Sequence, residues 1–301
     1  MPASAAALAA VVDAHHHVWR QRDLPWLSGP MQPRIFGPYE SIRRDYSIGE
    51  FIADAAPCGV SQSVYVQANW APAAYIDEVR WVDEVHGASG WPQAVVAYAD
   101  LTAADFESRL ERLSEFPIVR GIRMQLHWHE HAQYRFAARP DIAADRHFQT
   151  AVRRLGRFGW AFDLQLFPAQ LRSGLALARA CPDVYLVLQH AGMPVDFSPG
   201  GWRFWRQEMT ALAAAENVAV KLSGLGTFIR LNDPAFIHRV VTEVIDCFGP
   251  GRCLFGSNFP IEKLWTDYAS LLAAYRAALA AYSADERVQI FSGNAGRIYR
   301  L

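Results

Sequence analysis

Apolar and polar positions fall into two alternating rhythms along the chain. Short runs rich in Val, Ile, Leu, Phe or Tyr, bounded by turn residues, occur at 10–13, 63–67, 94–99, 119–125, 161–166, 184–189, 218–222 and 253–255. Runs of this length and make-up predict strands buried on both faces. Between them, residues 76–85, 103–113, 145–158, 171–180, 202–215, 235–248 and 268–281 carry helical periodicity, and Asn232-Asp233-Pro234 is a helix start signal. Eight strands with helices after most of them predict an α/β fold, a (β/α)8 TIM barrel, rather than an open doubly wound sheet. No GxGxxG follows the first strand, so a dinucleotide-binding fold has no support. Without an internal repeat or a low-complexity linker, the 301 residues read as one domain, with residues 1–9 as a flexible tail. The segment 20–46 contains four prolines and is expected to cross the barrel mouth as a long loop. Its Trp26, Phe36 and Tyr39, with Trp19 just before it, are candidates for a pocket wall.

Composition narrows the function classes. Hydrophobic residues make up 51% and charged residues 20%, which excludes disorder. Twenty-nine basic against 30 acidic residues leave a net charge of -1, with no electrostatic footprint for nucleic acid or an anionic membrane. No apolar run approaches the roughly 18 residues of a membrane helix. The opening run MPASAAALAAVV lacks a basic segment and enters the first strand, so no secretory signal is expected. The four cysteines lack CxxC spacing and read as free thiols of a reducing cytoplasm. The apolar content permits a homodimer without demanding one. Ten histidines are the unusual count, because six fall in two tight groups, His15, His16, His17 and His127, His129, His131.

In such barrels the active site lies at the C-terminal ends of the strands, so polar residues there on the inward parity are the candidates. Strand one ends Asp13-Ala-His15-His16-His17, and strict alternation places Asp13, His15 and His17 on one face. Two imidazoles two residues apart on a strand can reach one metal ion, although a polar turn with incidental histidines has the same pattern. His190 follows strand six directly and precedes a glycine turn, as a catalytic or ligand histidine or as a buried structural one. Asn258 follows strand eight where a carboxylate would complete the set; its amide can hydrogen-bond a water or a carbonyl but cannot act as a base. Strand four aligns Arg123, Gln125 and His127. Arg123 either pairs internally with Asp163 or clamps a substrate carboxylate. His129 and His131 continue into the next loop, as part of the site or as surface residues. Strand seven offers Lys221 and Ser223, and strand two offers Tyr65, Gln67 and Asn69. Together these make a polar mouth suited to an oxygen-rich small molecule.

The runs VVDAHHHVW, SVYVQANW, DEVRWV, QHAGMP, VAVKLSGL, FGSNFP and SGNAGRIYRL resemble, in order, the amidohydrolase-related family. Within the amidohydrolase superfamily they are most similar to its sugar-acid and pyrone-dicarboxylate lactonase branch. The matching motifs run from residue 11 to residue 301. The resemblance implies a TIM barrel that hydrolyses a lactone or related ester. His15 and His17 match the family's HxH pair, and His190 matches its histidine after strand six. Asn258 falls where most members carry a catalytic aspartate. Strand four has no lysine to match the superfamily's bridging carboxylated lysine, so a binuclear centre is not expected.

The resulting expectation is hydrolysis of a small lactone, carboxylated or polyhydroxylated, by activated water. One divalent metal ion, zinc by preference, would sit on His15, His17 and His190 with one open position. Metal-free catalysis is the other route. There one of these histidines, or one of the 127–131 group, acts as base, with Arg123 and Gln67 orienting substrate and Asn258 donating to the carbonyl oxygen. Gln125, His127, His129 and Lys221 complete the expected substrate-binding set. Other amidohydrolase-type chemistry, meaning C–C or amide hydrolysis or decarboxylation of an aromatic acid, and a binding protein without catalysis are the competing readings.

Overall fold

The computed structural model describes residues 10–301; the tail expected at residues 1–9 lies outside the described residues. Eight parallel strands stand in sequence order, β1 (Val11–His16), β2 (Val60–Val66), β3 (Ala94–Tyr98), β4 (Val119–Arg123), β5 (Ala161–Leu164), β6 (Leu186–Leu188), β7 (Val218–Leu222) and β8 (Cys253–Phe255). The β8–β1 seam is closed at the mouth by two backbone bonds. The Asn258 N–H donates to the His15 carbonyl, and the His17 N–H donates to the Phe259 carbonyl, both at 2.7 Å. The chain after β8 is thereby tied to the histidine strand.

The helices of the outer layer are α1 (Pro25–Ser28), α2 (Ile48–Ala55), α3 (Tyr75–Ser89), α4 (Phe106–Ser114), α5 (Arg146–Arg154), α6 (Leu171–Ala180), α7 (Pro199–Ala213), α8 (Pro234–Phe248), α9 (Tyr268–Ala278), α10 (Ala284–Val288) and α11 (Asn294–Tyr299). Asp233 caps α8 by accepting from the Ala235 and Phe236 amides, with Pro234 in the first turn, as its sequence signal predicts. The segment expected as one helix over 145–158 leaves the α-form after Arg154 and finishes as a 3-10 turn. The proline-rich segment contains α1 and a 3-10 turn at Glu40–Ile42 and is pinned by Trp19–Tyr46 pairing.

Alternation divides the strand residues between two cores. One parity packs against the helices. The other brings Val12, Val64, Val66, Ala94, Val96, Ala161, Val187, Ala219 and Leu254 together with Ile298 and Tyr299 of α11 in a separate cluster. Above it the inward positions turn polar. Asp163 (β5) accepts from Lys221 (β7), from Gln189 Nε2 at 2.9 Å and from Tyr299 Oη at 2.6 Å. Of the two readings of Arg123, direct pairing with Asp163 is not what forms. Lys221 takes the carboxylate, and Arg123 reaches it only through Gln189, donating to Gln189 Oε1 at 3.3 Å. A buried ammonium without a counter-ion is far costlier than a guanidinium shared among carbonyl oxygens, and this favours Lys221 as the partner.

β1 departs from simple alternation. Its pairing with β2 slips between Asp13 and His16, so three steps on β1 oppose two on β2. The extra residue reverses the parity downstream. Asp13 therefore faces the helices, accepting from Tyr268 Oη and the Ser257 amide at 2.9 Å each. His15 and His17 turn inward instead of sharing a face with Asp13. His16 points outward and stacks on Phe51, with ring centroids 3.8 Å apart.

Candidate active site

A cavity of about 220 Å³ opens at the C-terminal ends of the strands. Two of its walls come from loops whose backbones are held in unusual conformations. His190, Ala191 and Met193 all have positive φ, as does Asn258 in the loop after β8. Left-handed non-glycine residues cost free energy, so their clustering at one cavity is a mark of a functional site. Gly224 is needed next to them: a Cβ there would lie 2.5 Å from His190 Nδ1.

Three imidazoles gather at the mouth. The His15 ring lies 5.1 Å from that of His17 and 4.8 Å from that of His190, centroid to centroid. His17 Nδ1 is 2.7 Å from the Val66 carbonyl and His190 Nδ1 is 3.0 Å from Ser223 Oγ, which leaves each Nε2 free. His15 is fully buried, and neither of its ring nitrogens has a partner. All three are neutral. Burial, followed by the Lys221 charge, pulls His15 well below the usual imidazole range. Burial and the Arg123 guanidinium do the same to His17. His190 is pulled down to about 3 by burial, then Arg123 and Lys221.

Neutral imidazoles with free ring nitrogens, two of them (His17 and His190) with the other nitrogen fixed by a backbone carbonyl or a hydroxyl, suit a divalent ion in chemical kind. Their placement is looser than a ligand cage: among the described residues, no three His, Cys, Asp or Glu side chains converge to hold a metal ion. No carboxylate stands where one would complete such a cage, because that position is Asn258.

The remaining expected residues divide. Arg123, Gln125, His127 and Asn258 line the cavity beside His17 and His190. Arg123 donates to the Gln67 carbonyl and keeps a buried Nε without a partner. Burial lowers its pKa to about 10, so it remains a cation. His127 is buried, also neutral, and has an unpaired Nδ1. Lys221 is not on the cavity wall; it lies fully buried beneath it against Asp163. Gln67 contributes its main-chain carbonyl, while its side-chain Oε1 turns back to the Asn69 amide. Tyr65 faces α3 and bonds Glu78, not the mouth. His129 lies outside the main cavity, with its ring 5.2 Å from that of Phe167 at a second depression. His131 is exposed and accepts from the Gln133 amide.

Sequence reasoning missed several lining residues. Gln165 continues the inward parity of Ala161 and Asp163 and was findable by alternation; it accepts from Gln125 Nε2 at 3.2 Å. Arg34, Arg135 and Thr227 come from loops, where no periodicity points inward. Of the expected wall, Trp19, Trp26 and Phe36 line the cavity, whereas Tyr39 is buried behind them with its ring 5.6 Å from Trp26.

The parallel barrel places this histidine- and arginine-lined cavity at the strand ends where such barrels carry their active sites. The sequence pattern that defines the amidohydrolase family matches residues 12–301, and the chain belongs to that family. It is 34% identical over 294 residues to the uncharacterized protein y4mH of Sinorhizobium fredii, covering 97% of this chain and 99% of that one. It is 30% identical over 297 residues to an L-fucono-1,5-lactonase of Burkholderia ambifaria, covering 96% and 95% respectively. A crystal structure of an amidohydrolase from Burkholderia multivorans with bound zinc superposes with a TM-score of 0.81 at 28% identity, covering 97% of this chain and all of that one. No helix among the described residues is long and apolar enough to cross a membrane.

Proposed function

We propose that this hydrolase opens a small carboxylated lactone, giving the hydroxy acid. The observation that carries the reading is the charge of the cavity. Arg34, Arg123 and Arg135 line it, and among the described residues no Asp or Glu does. The imidazoles beside them are neutral, so the net field favours an anionic substrate and the anionic tetrahedral transition state of ester hydrolysis. Lactone opening also fits the named activity of the Burkholderia ambifaria relative. The walls of Trp19, Trp26 and Phe36 suit a flat ring.

His190 is the base. Its Nε2 takes a proton from water as the water oxygen adds to the lactone carbonyl carbon. The carbonyl electrons become an oxyanion facing Arg123. Collapse re-forms the C=O bond and breaks the bond to the ring oxygen, which receives the proton from His190. An imidazole with a pKa of about 3 is a weak base but is wholly in its basic form near neutrality. Arg34, whose guanidinium lies 5.4 Å over the Trp26 ring and whose Nε is unpaired, meets the substrate carboxylate. A divalent ion, zinc in the Burkholderia multivorans relative, would be held by His15, His17 and His190; it would supply Lewis acidity and lower the pKa of a bound water towards about 7, in place of the base role of His190.

The test is a panel of lactones sharing one ring, with and without a carboxylate, followed by proton release and by mass of the product. Gain of one water by the carboxylated members in preference to the neutral ones is the expected result. Release of carbon dioxide from an aromatic acid, with no lactone opened, would instead support a decarboxylase.

A further inference from the structure

Asn258 leaves the mouth without the carboxylate its position would supply, yet a carboxylate stands one turn further along. Glu262 begins the 3-10 turn Glu262–Leu264 after β8 and is buried at 1% exposure. Its Oε2 accepts from Trp265 Nε1 at 2.7 Å. Its Oε1 is buried and has no partner in full hydrogen-bond geometry. Among the described residues no cation pairs with it: the neighbouring Lys263 is turned away to Glu50 and Asp54. The loop after β7 is shaped to admit the carboxyl, since a Cβ on Gly226 would lie 2.6 Å from Glu262 Oε2. The same loop supplies Gly224 and Thr227 to the cavity. Asn258 lies between this carboxyl and the cavity, with its backbone held from both sides. Its N–H donates to the His15 carbonyl, and its carbonyl accepts from the Ile261 and Glu262 amides.

We infer that Glu262 is a positioning residue that fixes which end of the Asn258 carboxamide faces the substrate. The inference rests on the lactone-opening reading for its catalytic meaning. An ionised Glu262 accepts from Asn258 Nδ2–H, which leaves Asn258 Oδ1 turned into the cavity. There it accepts a hydrogen bond from the attacking water, in place of the carboxylate oxygen that an aspartate would offer. This is the reverse of the donor role expected for Asn258 from sequence. A protonated Glu262 can donate to Asn258 Oδ1 instead, and the carboxamide is then held the other way round, with Nδ2 in the cavity.

The surroundings make that protonation accessible. Burial pushes the Glu262 carboxyl up to about 8, opposed by the Trp265 indole, the Asn258 amide and the Gly226 N–H. From α9, the buried Tyr275 faces the same carboxyl and is itself held neutral, chiefly by burial. The orientation of Asn258 is therefore coupled to pH around 8.

The experiment is NMR of 15N-labelled protein, following the Asn258 side-chain NH2 signals, assigned by their loss in Asn258→Ala, as pH passes through 8. The expected result is a titration with a midpoint near 8 that vanishes in Glu262→Gln, whose side-chain amide does not titrate. Signals that do not titrate, or that titrate equally in Glu262→Gln, overturn the inference. Turnover gives a second arm. The acid-side fall in kcat below about pH 8 should disappear in Glu262→Gln, while Glu262→Leu should lose about 100-fold in kcat with KM little changed. A purely structural role would leave the shape of the pH profile the same in both variants. If the wild type opens no lactone, the functional reading fails, and the NMR titration still decides the role of Glu262.

Discussion

The polar residues inside the barrel form two regions with opposite characters. On the floor, Asp163 is satisfied by Lys221, Gln189 and Tyr299, and none of those four side chains is left with an unpaired buried atom. At the mouth, His15, His127, Arg34, Arg123, Gln125 and Glu262 each keep at least one buried polar atom without a partner. An unmade buried hydrogen bond costs about 1–3 kcal/mol, so the mouth is a destabilising region held in place by the rest of the fold. The floor is paired for stability. The mouth keeps its donors and acceptors free for water and substrate.

Breaking the floor should have the largest effect on folding. Lys221→Met leaves the Asp163 carboxylate buried without a cation and should cost about 3–5 kcal/mol, read as a lower Tm; adding Asp163→Leu should recover much of it. Equal Tm values for wild type and Lys221→Met would mean that the floor is not paired as described. At the mouth, Arg34→Gln should leave Tm nearly unchanged and reduce the preference for carboxylated over neutral lactones by about 10-fold or more, because a charge-assisted bond is lost. Steady-state kinetics on matched substrates would show it, and an unaltered preference would remove Arg34 from the site.

The pH dependence of stability, which has two limbs, sharpens the comparison further. His16, His127 and His190 fall from 6.5 to about 3 on folding. The unfolded chain therefore binds more protons between these values, and stability is lost as pH drops below about 6.5. Glu262 goes from 4.5 up to about 8, so the folded state holds the extra proton and stability falls as pH rises through that window. Thermal melts across pH should show stability falling on the acid side, and Glu262→Gln should flatten the alkaline contribution. An unchanged alkaline slope in that variant would contradict the burial of an uncompensated carboxyl.

The order and number of strands were legible because their apolar runs are buried on both faces, as in β2, β3 and β7. His190 was legible because it follows such a run directly. Asp13 was misplaced because a bulge within β1 carries no residue signature, and one extra residue reverses every side chain beyond it. Lys221 and Asp163 were both seen as inward residues, but alternation gives a face and not a depth, so their pairing beneath the cavity was invisible. Arg34 and Glu262 lie in loop or 3-10 segments, where their neighbours come from distant parts of the chain, Gln133 for one and Gly226 for the other.

The most direct test of the division between floor and mouth is His190→Ala, measured for kcat/KM on a carboxylated lactone and for Tm together. The account predicts a loss of turnover of about 100-fold or more with Tm close to wild type, since His190 serves chemistry rather than the core. A variant that keeps full activity, or one that unfolds instead of merely losing turnover, would contradict it.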